Sequence, residues 1–131
     1  MKFAIKNPNP GVTFYFVDSD PDSGGVSIRS LNPKQLRVMQ KETTKTVDIF
    51  KHGQRFEKTV HDEDKFARLL WDYVIESWWN LEDEDGKEIE CNADNKYTLM
   101  MENIGFAKFI GQCREKLEAD AAEREEQVEK N

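Results

Sequence analysis

Hydrophobic and polar positions change period several times along the 131-residue chain, and each change predicts a new element. After the turn-forming cluster Asn7-Pro8-Asn9-Pro10-Gly11, the run Val12-Thr13-Phe14-Tyr15-Phe16-Val17 joins β-branched and aromatic residues over a strand's length. Beyond the polar residues 18–25, Val26-Ser27-Ile28-Arg29 alternates apolar with polar, which predicts a second strand pairing with the first across a long hairpin loop. Asn32-Pro33 supplies a cap and a first-turn proline for a short helix through about Gln40 that buries Leu36 and Met39. Two further β-prone pieces flank His52-Gly53, a hairpin whose glycine supplies positive φ.

From residue 62 the period changes to that of a helix. Asp62, Glu63 and Asp64 favour the positive end of its dipole, and the spacing predicts a helix over 62–79. Phe66, Leu69, Leu70, Tyr73, Val74 and Ser77 form one stripe; Trp71, Ile75, Trp78 and Trp79 form a second. A helix apolar around so much of its circumference must be covered on two sides, so it is expected at the centre of the core. A helix over 92–102, capped by Asn92 or Asp94, carries Tyr97, Leu99, Met100 and Met101. Another starts near Gly105, and its Phe106, Phe109, Ile110, Cys113 and Leu117 are expected to face the long helix. The expected fold is therefore α+β and mainly α: an N-terminal β-hairpin region packed on a helical C-terminal part with one central Trp-rich helix. A single domain over 1–118 accounts for it, with hairpins and a short helix in about 1–60 and helices in 61–118. Residues 119–131 form an acidic tail, helical or disordered.

Charge divides the chain unevenly, with ten Lys/Arg against six Asp/Glu in residues 1–60 and nine against twenty in residues 61–131. A nucleic-acid binder needs a basic stripe, so no nucleic-acid partner is expected, the N-terminal part being the only candidate footprint. No run approaches the roughly eighteen apolar residues of a membrane span, and no membrane partner is expected. Cys91 and Cys113, in a chain opening Met-Lys-Phe-Ala-Ile-Lys, fit reduced thiols and a cytoplasmic location.

Candidate chemistry is sparse. Asp18, Asp20 and Asp22 occupy the first, third and fifth positions of a calcium loop, but Ser23 stands where that loop needs glycine and Arg29 where it needs a bidentate glutamate. An acidic hairpin loop is the plainer reading. The run Glu82-Asp83-Glu84-Asp85-Gly86 also misses the calcium register, and four successive acids in a polar stretch stay hydrated, so Asp85-Gly86 is expected to be a tight turn. His52 and His61 share no metal-ligand spacing with the cysteines, Cys113 falls on an apolar stripe, and nothing beside Cys91 suggests an activated thiolate. No catalytic residue, metal or cofactor is expected. Trp71 suits a core position, whereas Trp78 and Trp79 would point about 100° apart on a helix, which leaves at least one for partner contact.

The order of features over residues 72–117 resembles the tail assembly chaperones of long-tailed bacteriophages and prophages. The resemblance rests on Ile75, Trp78, Leu81, Asp83, Asp85, Gly86, Ile89, Cys91, Lys96, Leu99 and Met100, followed by the closing helix "GFAKFIGQCREKL". Residues 1–60 match more loosely, through "VSIRSLNPKQL" and "GQRFEKTV", and neither Trp79 nor the acid run is required of a member. The resemblance implies a non-enzymatic protein that binds the helical tape-measure protein, keeps it soluble and helps recruit tail-tube subunits before leaving the finished tail. It also implies that a longer, frameshifted form is often made, for which an A-rich stretch encoding Glu129-Lys130-Asn131 would be the place. Trp71, Ile75, Trp78, Trp79, Leu99, Met100 and Met101 are then the partner-binding candidates, methionine suiting an adaptable apolar surface. A homo-oligomer is compatible with such a role. The alternatives are another tail structural, completion or adaptor protein and, more remotely, a small metal binder using the acidic loop.

Overall fold

The computed structural model describes Met1 and residues 9–129, with side chains through residue 120. Asn7 and Pro8 of the turn cluster, the opening residues 2–8 generally, and Lys130 and Asn131 lie outside these. The fold is α+β. Strands β1 (Val12–Tyr15), β2 (Gly25–Ile28) and β5 (Ile75–Trp79) form one antiparallel sheet in the order β1-β2-β5. Between β2 and β5 the chain makes helix α1 (Pro33–Thr43), a ribbon of β3 (Thr44–Lys51) and β4 (Gln54–His61), and helix α2 (Glu63–Val74). Helices α3 (Ala93–Glu102) and α4 (Ile104–Glu129) complete it, α4 carrying the backbone of the acidic tail to Glu129.

Local chemistry sets most boundaries. Asn32, Asp62 and Asn92 each accept the backbone N–H three residues on (2.8, 3.1 and 2.8 Å), satisfying an otherwise unpaired donor at the start of α1, α2 and α3. Asn103 does the same for Phe106 of α4 at 2.9 Å. At the ribbon's tip His52 and Gly53 both have positive φ (52° and 75°), the geometry that matches a two-residue turn to the twist of its strands.

The helix expected over 62–79 ends at Val74, and this is the main correction. Residues 75–79 form β5, so only Trp71 of the three tryptophans is helical. The register explains the misleading spacing. Ser27 pairs with Ser77 and Ile28 with Ile75, which leaves Glu76 as an extra residue, a β-bulge. A bulge adds one position to the two-residue repeat of a strand, so Ile75 and Trp78, three apart as on a helix, both turn inward. Pairing with the central strand β2 then offers β-branched Ile75 and the tryptophans ladder bonds and a packed face that a further helical turn would lack.

The core lies between this sheet and α4. Val26, Ile28, Val74, Ile75 and Ile110 are fully buried, joined by Trp78, Phe106 and Cys113. Each fully buried aliphatic side chain contributes about 1.5–3 kcal/mol. Trp78 meets the edge of Phe106, ring centroids 5.9 Å apart. The apolar row of α4 therefore faces the sheet, not chiefly the long helix as expected, because the strand formed by residues 75–79 supplies the apolar surface. On the sheet's other face Tyr15, Gly25 and Trp79 lie side by side across three strands. A side chain at Gly25 would come within 2.5 Å of the Trp79 ring and 2.6 Å of the Phe14 carbonyl oxygen, so the indole requires glycine beneath it.

Candidate functional site

Residues 77–96 fold as a strand end, a tight turn and a helix cap. Ile89 N–H donates to the Leu81 carbonyl (2.7 Å) and Asp83 N–H to that of Lys87 (2.8 Å), with Gly86 at φ 76°. The Asp83 carboxylate accepts from the N–H groups of Asp85 (2.9 Å) and Lys87 (3.0 Å), so one acid of the run ties the turn together. Glu82, Glu84 and Asp85 remain exposed. The indole Nε1–H of Trp78 donates to the Ile89 carbonyl at 2.8 Å and holds the turn against the core. Lys96 is buried, and its ammonium donates to both the backbone carbonyl and the carboxylate of Asp72 at 3.1 Å, joining α3 to α2.

That turn borders an open groove. Its floor is apolar, built from Phe16, Leu81, Ile89, Leu99, Phe106 and Phe109, and Glu82, Asp83 and Glu84 stand along one rim; it encloses about 550 Å³. Phe16 and Phe109, 5.3 Å apart between ring centroids, also line a second depression of about 800 Å³ between β1 and α4, so the two adjoin at this pair of rings. The second depression adds Phe14 to the floor, and Asp18, Glu115 and Lys116 to the rim. An apolar trough flanked mostly by carboxylates suits an apolar stripe with basic neighbours.

The candidate residues do not form one surface. Ile75 and Trp78 are core residues, inaccessible to a partner, because the bulge turns both inward. Trp79 is half-buried, edge-on to Tyr15 with centroids 6.0 Å apart, and its Nε1–H donates to the Pro21 carbonyl at 3.3 Å. Trp71 is half-buried beneath the Arg114 guanidinium, 5.4 Å from its ring. Met100 packs on the core, Met101 is exposed, and Leu99 alone lines the groove. The groove's other lining residues come from segments far apart in sequence. Phe106 and Phe109 belong to an apolar row legible in the sequence, but nothing local marks the outer edge of that row as a binding floor.

The other candidates have local roles. Asp20 caps a short 3-10 turn, accepting the Asp22 N–H at 3.1 Å. Arg29, at the end of the calcium-loop register, donates from Nε to the Tyr73 carbonyl at 2.8 Å with its guanidinium over that ring. Among the described residues no three His, Cys, Asp or Glu side chains converge as metal ligands. His52 is the ribbon tip, and His61 lies beside Phe66 and within 3.2 Å of the Thr44 hydroxyl. Burial pushes the Cys91 thiol up, and pushes that of Cys113 up to about 11, so neither is held as a thiolate at neutral pH. Among the described residues no helix is long and apolar enough to cross a membrane.

A family model described as YdaY prophage protein matches residues 31–131. The chain belongs to this prophage protein family. The match spans α1, the ribbon, α2, β5, α3 and α4, and so includes the acidic turn and most of the groove floor. Comparison with curated proteins and with solved structures finds no match. Membership gives a prophage origin. β1 and β2 lie before the matched residues, as do the groove residues Phe14 of β1 and Phe16 just beyond it.

Proposed function

We propose that this YdaY-family protein is a tail assembly chaperone of its prophage, acting by protein binding without catalysis. The observation that carries the proposal is the apolar groove beside the start of α4, with Glu82, Asp83 and Glu84 on its rim. Its occupant is an amphipathic helix of the tape-measure protein whose apolar stripe lies on Phe16, Leu99, Phe106 and Phe109 and whose Lys or Arg residues meet the rim. The resemblance over residues 72–117 and the prophage family support this reading. Work in the host cytoplasm and release from the finished tail follow from the same role.

Co-expression with fragments of the tape-measure protein tests it. The unmutated protein is expected to keep a helical fragment soluble and to co-purify with it. Glu82→Lys/Glu84→Lys, at two exposed positions outside the core, is expected to weaken co-purification at least tenfold without changing the melting temperature. If every fragment stays insoluble beside the unmutated protein, the proposal fails. A tail completion or adaptor subunit, the alternative, would instead be found in assembled tails.

A further inference from the structure

The β3–β4 ribbon shares no lining residue with the groove. In an antiparallel pair, directly opposed residues share a face. The register opposes Ile49 to Phe56, Val47 to Lys58 and Lys45 to Val60, so Val47, Ile49 and Phe56 adjoin on one face and Val60 extends the patch as the diagonal neighbour of Val47. Phe56 is half exposed, and the other three are partly exposed. Lys45, Lys51 and Lys58 lie on the same face, on which neither strand places an acid; Glu42 and Asp62 line a small depression with Lys45 and Val60 at the ribbon's base. Among the described residues none of the three is in an ion pair, whereas on the opposite face Arg55 reaches Asp48 at 3.0 Å. That opposite face also carries the exposed Phe50, but its charges are already matched.

We propose that this face docks an acidic amphipathic helix of a partner protein. A two-stranded ribbon is marginally stable in water unless something packs on it, and this one is anchored at its base by α1 and by His61 against Phe66. The three unmatched lysines select for acids beside the partner's apolar stripe. A second copy laid face to face would bring six lysines together, which disfavours that occupant. Nucleic acid fits less well, because three of the four apolar side chains are aliphatic and offer no platform for stacked bases. Eight residues of strand span about 27 Å, which corresponds to about 18 residues of helix.

Fluorescence anisotropy with the full chain tests the proposal, using an 18-residue helical peptide with a leucine stripe flanked by glutamates. The unmutated protein is expected to bind it, and Lys45→Glu/Lys51→Glu/Lys58→Glu to weaken binding at least tenfold with an unchanged circular dichroism spectrum. Phe56→Ser, which leaves charge untouched, is expected to weaken it as well. Glu82→Lys/Glu84→Lys is expected to leave it unchanged, so this proposal and the groove proposal fail separately. No binding by the unmutated protein, equal binding by the triple variant, or loss in the groove variant overturns the proposal. Tighter binding of a 20-base-pair DNA duplex, or a dimer in sedimentation that Phe56→Ser dissociates, overturns it too.

Discussion

Glu76 is the residue on which the tryptophan-rich segment turns. As the extra member of a bulge it sends Ile75 and Trp78 into the core and leaves Trp79 on the far face against Gly25. Trp78→Ala is expected to cost about 3–5 kcal/mol in urea unfolding, through lost burial and the cavity left behind. Trp78→Phe is expected to cost about 1–2 kcal/mol, largely because the Ile89 carbonyl loses its donor. Gly25→Ala is expected to be disproportionately damaging for one methyl group, since one of its close contacts is the Phe14 backbone, which cannot rotate away. Cys113 makes stability depend on pH. Its folded-state pKa is raised to about 11 from an ordinary 9.0, so the unfolded chain gives up a proton that the folded protein keeps. Its stabilising contribution is full below pH 9 and is lost as pH rises through about 11. Denaturation at pH 8 and pH 10.5 should show a smaller loss of stability on raising pH for Cys113→Ala than for the unmutated protein.

Elements whose boundaries depend on local chemistry were legible in the sequence. The caps at Asn32 and Asn92, the acids opening α2, the His52-Gly53 hairpin and the Asp85-Gly86 turn all stand where residue type places them. The end of α2 was not legible, because a bulged strand and a helix both repeat their inward positions at a spacing of three. Strand identity here is decided by pairing with β2, whose Val26 is opposed to Trp78 although the two are 52 residues apart in sequence. Lys96 is a related case, a charged residue whose partner Asp72 lies on another helix. Asp72→Asn is expected to weaken the joint between α2 and α3 by about 1 kcal/mol, the carboxylate being half exposed while the backbone carbonyl still accepts. Comparing urea midpoints of the two proteins at low and high salt checks this, the difference shrinking as salt screens the pair.

Across the whole molecule, charge and apolar surface coincide in two places of opposite sign. The groove along α4 is rimmed mainly by acids, and the β3–β4 ribbon is bordered by lysines. The half-by-half charge balance hinted at this division, but neither surface was visible, since each needs residues that only the folded chain brings side by side. The acid run 82–85 illustrates the difference: its composition suggested ligands or a turn, and the fold gives it a turn that also forms a rim. In the proposed function the groove holds a helix of the tape-measure protein. Hydrogen exchange of the full chain, alone and bound to a co-purified tape-measure fragment, checks this occupancy. Added protection is expected in residues 12–16, 81–89 and 103–113 on binding. A fragment that binds while leaving those segments unchanged would contradict it.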